Sequence, residues 1–161
     1  MASRSKVRVL VVEDSPVVQA VLVQLLKSDA QFEVIGTANN GEEAVAFVGR
    51  NKPDVILMDV HMPKMNGIEA TRRIMETHPV PIVVASSATL AADEVPLAFR
   101  AMEAGALAFV DKSAQVGSSQ FDSQAAQLKQ MLRLMSEVKV VRRWNRGGKT
   151  ASGATPAPSN A

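Results

Sequence analysis

Two uninterrupted apolar runs, VLVV at 9–12 and VILM at 55–58, constrain this chain more than any other feature. A strand wetted on one face alternates apolar and polar residues. One that is apolar throughout is covered on both faces, as in a parallel sheet. Around these runs, short β-branched stretches alternate with helical periodicity. KVRVLVV (6–12), FEVIGT (32–37), DVILM (54–58), PIVVAS (81–86) and LAFV (107–110) read as strands. Helical spacing fills 16–28, 41–50, 66–77 and 93–104, and a long final helix starts near Phe121. Ser15 is suited to cap the first helix, with Pro16 as its first residue. Asn40 or Gly41 opens the second, with Glu42 and Glu43 in its first turn. Five βα units of this kind predict an α/β fold with helices on both faces of a parallel sheet, because right-handed crossovers place them there.

At 161 residues, 47% apolar and 21% charged, the chain fills one domain with some length to spare. There is no cysteine, so disulfides, thiolate zinc sites and cysteine nucleophiles are excluded. The apolar run near the N-terminus is broken by Glu13 and Asp14, too early for a signal peptide or a membrane span. A cytoplasmic, membrane-free protein is therefore expected. The net charge of +2 hides an asymmetry: residues 1–128 hold 11 basic and 15 acidic residues, and 129–161 hold 7 and 1. Basic character belongs to the tail. The organisation expected is a core over 1–113, a loop and long C-terminal helix over 114–145, and a flexible Gly, Ala, Ser and Pro linker over 146–161.

In an open α/β sheet, ligands bind beyond the carboxyl ends of the strands. Those ends carry Glu13 and Asp14, Asp59, Ser86, and the stretch from Phe109 to Lys112. Each residue alone is ordinary: an acid before Ser-Pro starts a helix, serines form turns, and a strand-end lysine is solvated. Together on one edge they make a site. Clustered carboxylates repel, and a hard cation relieves them, Mg²⁺ best of all because it keeps room for waters and phosphate oxygens. Lys112 adds a point charge and Ser86 a hydrogen bond for a phosphoryl oxygen. This is equipment for phosphoryl transfer onto a carboxylate. His61 falls near the mouth of such a site, His78 before Pro79 reads as a helix end, and Met58, Met62, Met65, Met75, Met102, Met131 and Met135 read as packing residues.

The motifs VVEDS (11–15), LMDVHMPKMNG (57–67), VVASS (83–87) and AFVDK (108–112) closely resemble a two-component response-regulator receiver domain over about 6–113. VRVLVVEDSPVV, EVIGTANNGEEAV, DVHMPKMNGIEATRRIM and LMSEVKVVRRW are most similar to the receiver of the chemotaxis protein-glutamate methylesterase. The resemblance implies a flavodoxin-like doubly wound (βα)5 fold with strand order 2-1-3-4-5. It implies Asp59 as phosphoacceptor from a sensor histidine kinase. Asp14 and Asp59 would ligate Mg²⁺, with Glu13 acting through a water and His61 through its backbone carbonyl. Lys112 would pair with the phosphoryl group, while Ser86 and Phe109 would switch the face made by the fourth helix, fifth strand and fifth helix. Three departures stand out: Glu13 where the family often has Asp, Phe109 for the common Tyr, and Ser113 for the proline after Lys112. A cis bond between Lys112 and Ser113 would cost roughly 3 kcal/mol.

No glycine-flanked serine nucleophile is present, nor any histidine after Phe121, so the methylesterase domain itself is lacking. The chain then reads either as a fragment cut at its linker or as a stand-alone regulator of a partner protein. A phosphohydrolase with an aspartyl nucleophile would want an acid two residues after Asp59, where His61 stands. Lys139, Arg142, Arg143, Arg146 and Lys149 make a basic tail without a nucleic-acid recognition module, so no nucleic acid is expected. Leu128, Leu132, Met135 and Val138, widened by Met131, Leu134 and Val141, exceed one helix face and leave room for a homodimer. Trp144 would anchor the last helix on the core or on a partner.

Overall fold

The computed structural model describes residues 6–86, 94–111 and 118–141. β1 (Val7–Val12), β2 (Phe32–Ala38), β3 (Val55–Asp59), β4 (Ile82–Ser86) and β5 (Ala108–Asp111) alternate with α1 (Pro16–Lys27), α2 (Gly41–Arg50), α3 (Gly67–Thr77), α4 (Glu94–Ala104) and α5 (Ser119–Met135). All pairings are parallel, and the sheet order is β2-β1-β3-β4-β5. The expected elements are all present, with ends shifted by a residue or two except at the end of α5.

The helices begin where polar side chains satisfy their free amides. Ser15, Asn40, Asn66 and Ser118 each accept a bond from an amide three residues on. Strand periodicity then sorts the core into two layers. Val9, Val11, Val55, Leu57, Val83 and Ala85 pack with Leu22 and Leu26 of α1 and Leu128 and Leu132 of α5. Leu10, Val12, Ile56, Met58, Ile82 and Val84 pack with α2, α3 and α4 through residues such as Val48, Ile74 and Ala101. Every residue of β3 and β4 is buried, as central strands of a doubly covered sheet must be.

Two expectations are corrected. The last helix does not run to Val141: it ends at Met135, and its cap Ser136 turns its hydroxyl back to the Arg133 carbonyl at 2.7 Å. Ser136, Val138, Lys139 and Val140 then line a groove of about 340 Å³ with Lys52, Pro53, Asp54, Pro79 and Pro81, at the amino ends of β3 and β4. Val140 packs against the α2–α4 layer, on the face opposite α5. β-branched Val138, Val140 and Val141 have little to gain from continued helix, and partial burial against the α2–α4 layer rewards Val140. The wide stripe also narrows, because Met131 and Met135 join Leu128 and Leu132 on the α1–α5 layer. Leu134, Val138 and Val141 of that stripe remain exposed. Met102 is the other correction: it is exposed on α4 rather than packed, as is Phe99. Trp144, the four basic residues beyond Lys139 and the linker lie outside the described residues. No described helix is long and apolar enough to cross a membrane.

Candidate functional site

The parallel register brings the carboxyl ends of β1, β3, β4 and β5 to one edge. Val12 pairs with Met58, which sets Glu13 beside Asp59, the last residue of β3. Asp59 pairs with Ala85, so Ser86 ends β4 one step further on, opposite Asp111 of β5. One carboxylate oxygen from each of Glu13, Asp14 and Asp59 lies within 4.8 Å of the others. Glu13 and Asp59 are buried, at 3% and 6% exposure, while Asp14 faces solvent. Two unit charges at such a separation repel by about 3 kcal/mol at the effective dielectric of a protein surface. The donors are all hard oxygens with no nitrogen or sulfur, a set that suits Mg²⁺ rather than zinc or copper.

Local bonds hold these acids in place. Ser15 N–H donates to Glu13 Oε2 at 3.2 Å, and Glu13 N–H donates to the Ala38 carbonyl at 3.0 Å. The loop after Asp59 is braced at both ends: Val60 N–H reaches the Ala85 carbonyl at 3.3 Å, and Gly67 N–H reaches the Val60 carbonyl at 2.9 Å. Between them Met65 N–H closes a three-residue turn on Pro63 O at 2.7 Å, with Lys64 at φ 67°, a conformation few side chains adopt. Met65 O in turn accepts from Gly41 N–H at 2.9 Å, tying the loop to α2.

Sequence-based candidates fall as follows. Glu13, Asp14 and Asp59 come together, and buried Ser86 joins them on the same edge. His61 lies two residues past Asp59 with its side chain exposed. Phe109, half-buried in β5 opposite Val84, packs against the α2–α4 layer. Lys112 and Ser113, with the bond between them, lie outside the described residues. His78 is the cap residue of α3, as expected. One residue with no signal in the sequence is Gln19, whose Nε2 donates to Glu13 O at 2.9 Å, Asn39 Oδ1 at 3.0 Å and Ala38 O at 3.2 Å. Its place on a partly exposed helix face resembles that of any solvated glutamine.

Comparison with known proteins agrees with this geometry. A family model described as response regulator receiver domain matches residues 9–118. A protein-glutamate methylesterase/protein-glutamine glutaminase of Nitrosospira multiformis is 50% identical over 154 residues, covering 94% of this chain and 43% of the relative. One from Geobacter metallireducens is 51% identical over 146 residues, covering 91% and 42%. The chain thus spans less than half the length of these relatives. Among solved structures, the response regulator domain of Thermotoga maritima CheB superposes with a TM-score of 0.72 at 36% identity, covering 84% of this chain and 99% of that one. The receiver domain of a Pseudomonas aeruginosa sensor histidine kinase, with a magnesium ion coordinated in its active-site cleft, gives 0.66 at 27% identity, covering 83% and 100%. Five parallel strands in this order, three acids at their carboxyl edge and a match across two thirds of the sequence lead to one conclusion: the chain belongs to the response regulator receiver domain family.

Proposed function

We propose that this chain is a Mg²⁺-dependent phosphorylatable switch of a chemotaxis relay, charged by a sensor histidine kinase and governing a protein-glutamate methylesterase domain. The observation that carries this reading is the convergence of Glu13 and Asp14 with Asp59 at the end of β3. The methylesterase names of the relatives support the choice of output.

In this reading an Asp59 carboxylate oxygen attacks the phosphorus of a phosphohistidine in line. The O–P bond forms as the P–N bond breaks, and the imidazole leaves with that electron pair. Asp14 and Asp59 would hold the metal directly, Glu13 through a water and His61 through its carbonyl oxygen. Bound there, Mg²⁺ supplies positive charge that offsets the negative charge of the transferring group. Glu13 and Asp59 are buried, so their charges are little screened by water. Lys112 pairs with a phosphoryl oxygen. Ser86 bonds another, and the space it leaves lets the Phe109 ring turn inward. Phosphorylation then biases a two-state element through contacts that only one state offers. Exposed Phe99 and Met102 on α4 supply apolar surface where that bias is read.

The test is labelling from acetyl phosphate or a phosphorylated kinase. Labelling is expected with Mg²⁺, to fail when the metal is chelated beforehand, and to be absent in Asp59→Asn. Undiminished label in that variant would sink the assignment. A second reading, a stand-alone receiver acting on a separate partner, draws on the same exposed α4 residues. Coding sequence beyond residue 161 separates the two, since a methylesterase domain in frame selects the first.

A further inference from the structure

Gln19 sits at the end of the first turn of α1, and its side chain reaches back over the end of β1. Its Nε2 carries two hydrogens and has three acceptors in reach: Glu13 O at 2.9 Å, Asn39 Oδ1 at 3.0 Å and Ala38 O at 3.2 Å. One hydrogen is therefore shared. The Ala38 carbonyl also takes the Glu13 N–H at 3.0 Å, so it joins the backbone of β1 and the Gln19 amide at one point. The β1–β2 pairing stops at Val12 opposite Ala38, and the Gln19 amide carries the contact between the two segments one residue further.

The consequence is geometric. The peptide unit before the Glu13 Cα is held by its N–H, and the unit after it by its carbonyl. Because a peptide is planar, fixing the Glu13 carbonyl also fixes the Asp14 nitrogen. The Glu13 Cα–Cβ bond then has a set direction and the Asp14 Cα a set position, and the Ser15 N–H on Glu13 Oε2 at 3.2 Å restrains the peptide after Asp14, so the backbone aims the two carboxylates that meet Asp59 within 4.8 Å. Without the amide, the Glu13 carbonyl loses a partner in a half-buried place and the turn from β1 into α1 gains freedom.

We infer that Gln19 is a positioning residue for the divalent-cation site, holding the Glu13 and Asp14 backbone so that both acids face Asp59. This rests on reading the three acids as a Mg²⁺ site. Helix formation itself does not require glutamine at this position, since Met, Arg and Glu have similar propensity. Substitutions there can therefore change the donor while keeping the helix.

The experiment titrates Mg²⁺ into the full chain, followed by backbone amide chemical shifts, with thermal unfolding in EDTA measured in parallel. Gln19→Met keeps the length and removes the donors, and is expected to weaken Mg²⁺ binding about tenfold, as loss of a residue that orients metal ligands does. Wild-type affinity in Gln19→Met would overturn the inference, even if its melting temperature in EDTA fell, because that pattern is a purely structural role. Absence of Mg²⁺ binding by the wild-type chain would instead overturn the reading of the acids, and this inference with it.

Discussion

At Asp59 the backbone carbonyl is constrained as closely as the carboxylate is. The Cβ of any residue placed at Gly67 would overlap the Asp59 carbonyl oxygen, so α3 begins this close to β3 only because position 67 has no side chain. Overpacking of this kind costs about 1–3 kcal/mol. Gly67→Ala is expected to lose stability in that range by urea denaturation, and to lower the rate of labelling at Asp59 as the end of β3 shifts. A variant as stable as the wild type would show that the loop moves aside freely. Gly67 was visible in the sequence only as a turn former. Its actual constraint comes from Asp59, eight residues earlier, which the β3–α3 turn folds back against it. Gln19 was not visible at all, because nothing in a helical pattern tells a solvated amide from one that spans three carbonyl-type oxygens. The acids themselves were legible: a charged residue directly after a fully apolar strand has nowhere to go but the rim.

Among the elements, helix starts were easy to read and one helix end was not. Ser15 with Pro16, and Asn40 with its acidic first turn, are local signals that act through bonds spanning three residues. The end of α5 depends instead on what lies at the amino ends of β3 and β4. SEVKVV at 136–141 has apolar residues at spacings a helix would accept, yet Val140 gains more by packing under the α2–α4 layer. Val140→Asp is expected to cost about 1 kcal/mol, and Leu134→Asp, exposed on α5, to stay within about 0.5 kcal/mol of the wild type. Chemical denaturation of both variants checks this, and equal effects would mean that residues 136–140 do not hold to the sheet.

The whole molecule is tied together across long sequence separations, and one tie is sensitive to acid. Asp29, in the turn between α1 and β2, meets Lys129 of α5 at 3.4 Å and accepts the Gln31 N–H at 2.9 Å. The Gln31 bond, more than Lys129, holds its carboxyl below the usual carboxylate range, against the opposing effect of burial. A carboxyl whose folded pKa is depressed stabilises the fold above its unfolded value, near 3.9, and loses that contribution as pH falls through the folded value. Asp29→Asn is therefore expected to be less stable than the wild type at pH 7, with the gap closing below about pH 4. Urea denaturation at several pH values tests it, and a gap independent of pH would reject the linkage. Composition and periodicity by themselves determined the five βα units, the two covered faces and the edge on which the acids lie, because apolar spacing and capping act over a few residues. The family motifs implied the strand order that the sheet shows, whereas tertiary structure alone decided the 4.8 Å meeting of Glu13, Asp14 and Asp59, the grip of Gln19 and the stop at Met135. Each of these depends on which distant surfaces are buried together, a quantity that no short window of sequence contains.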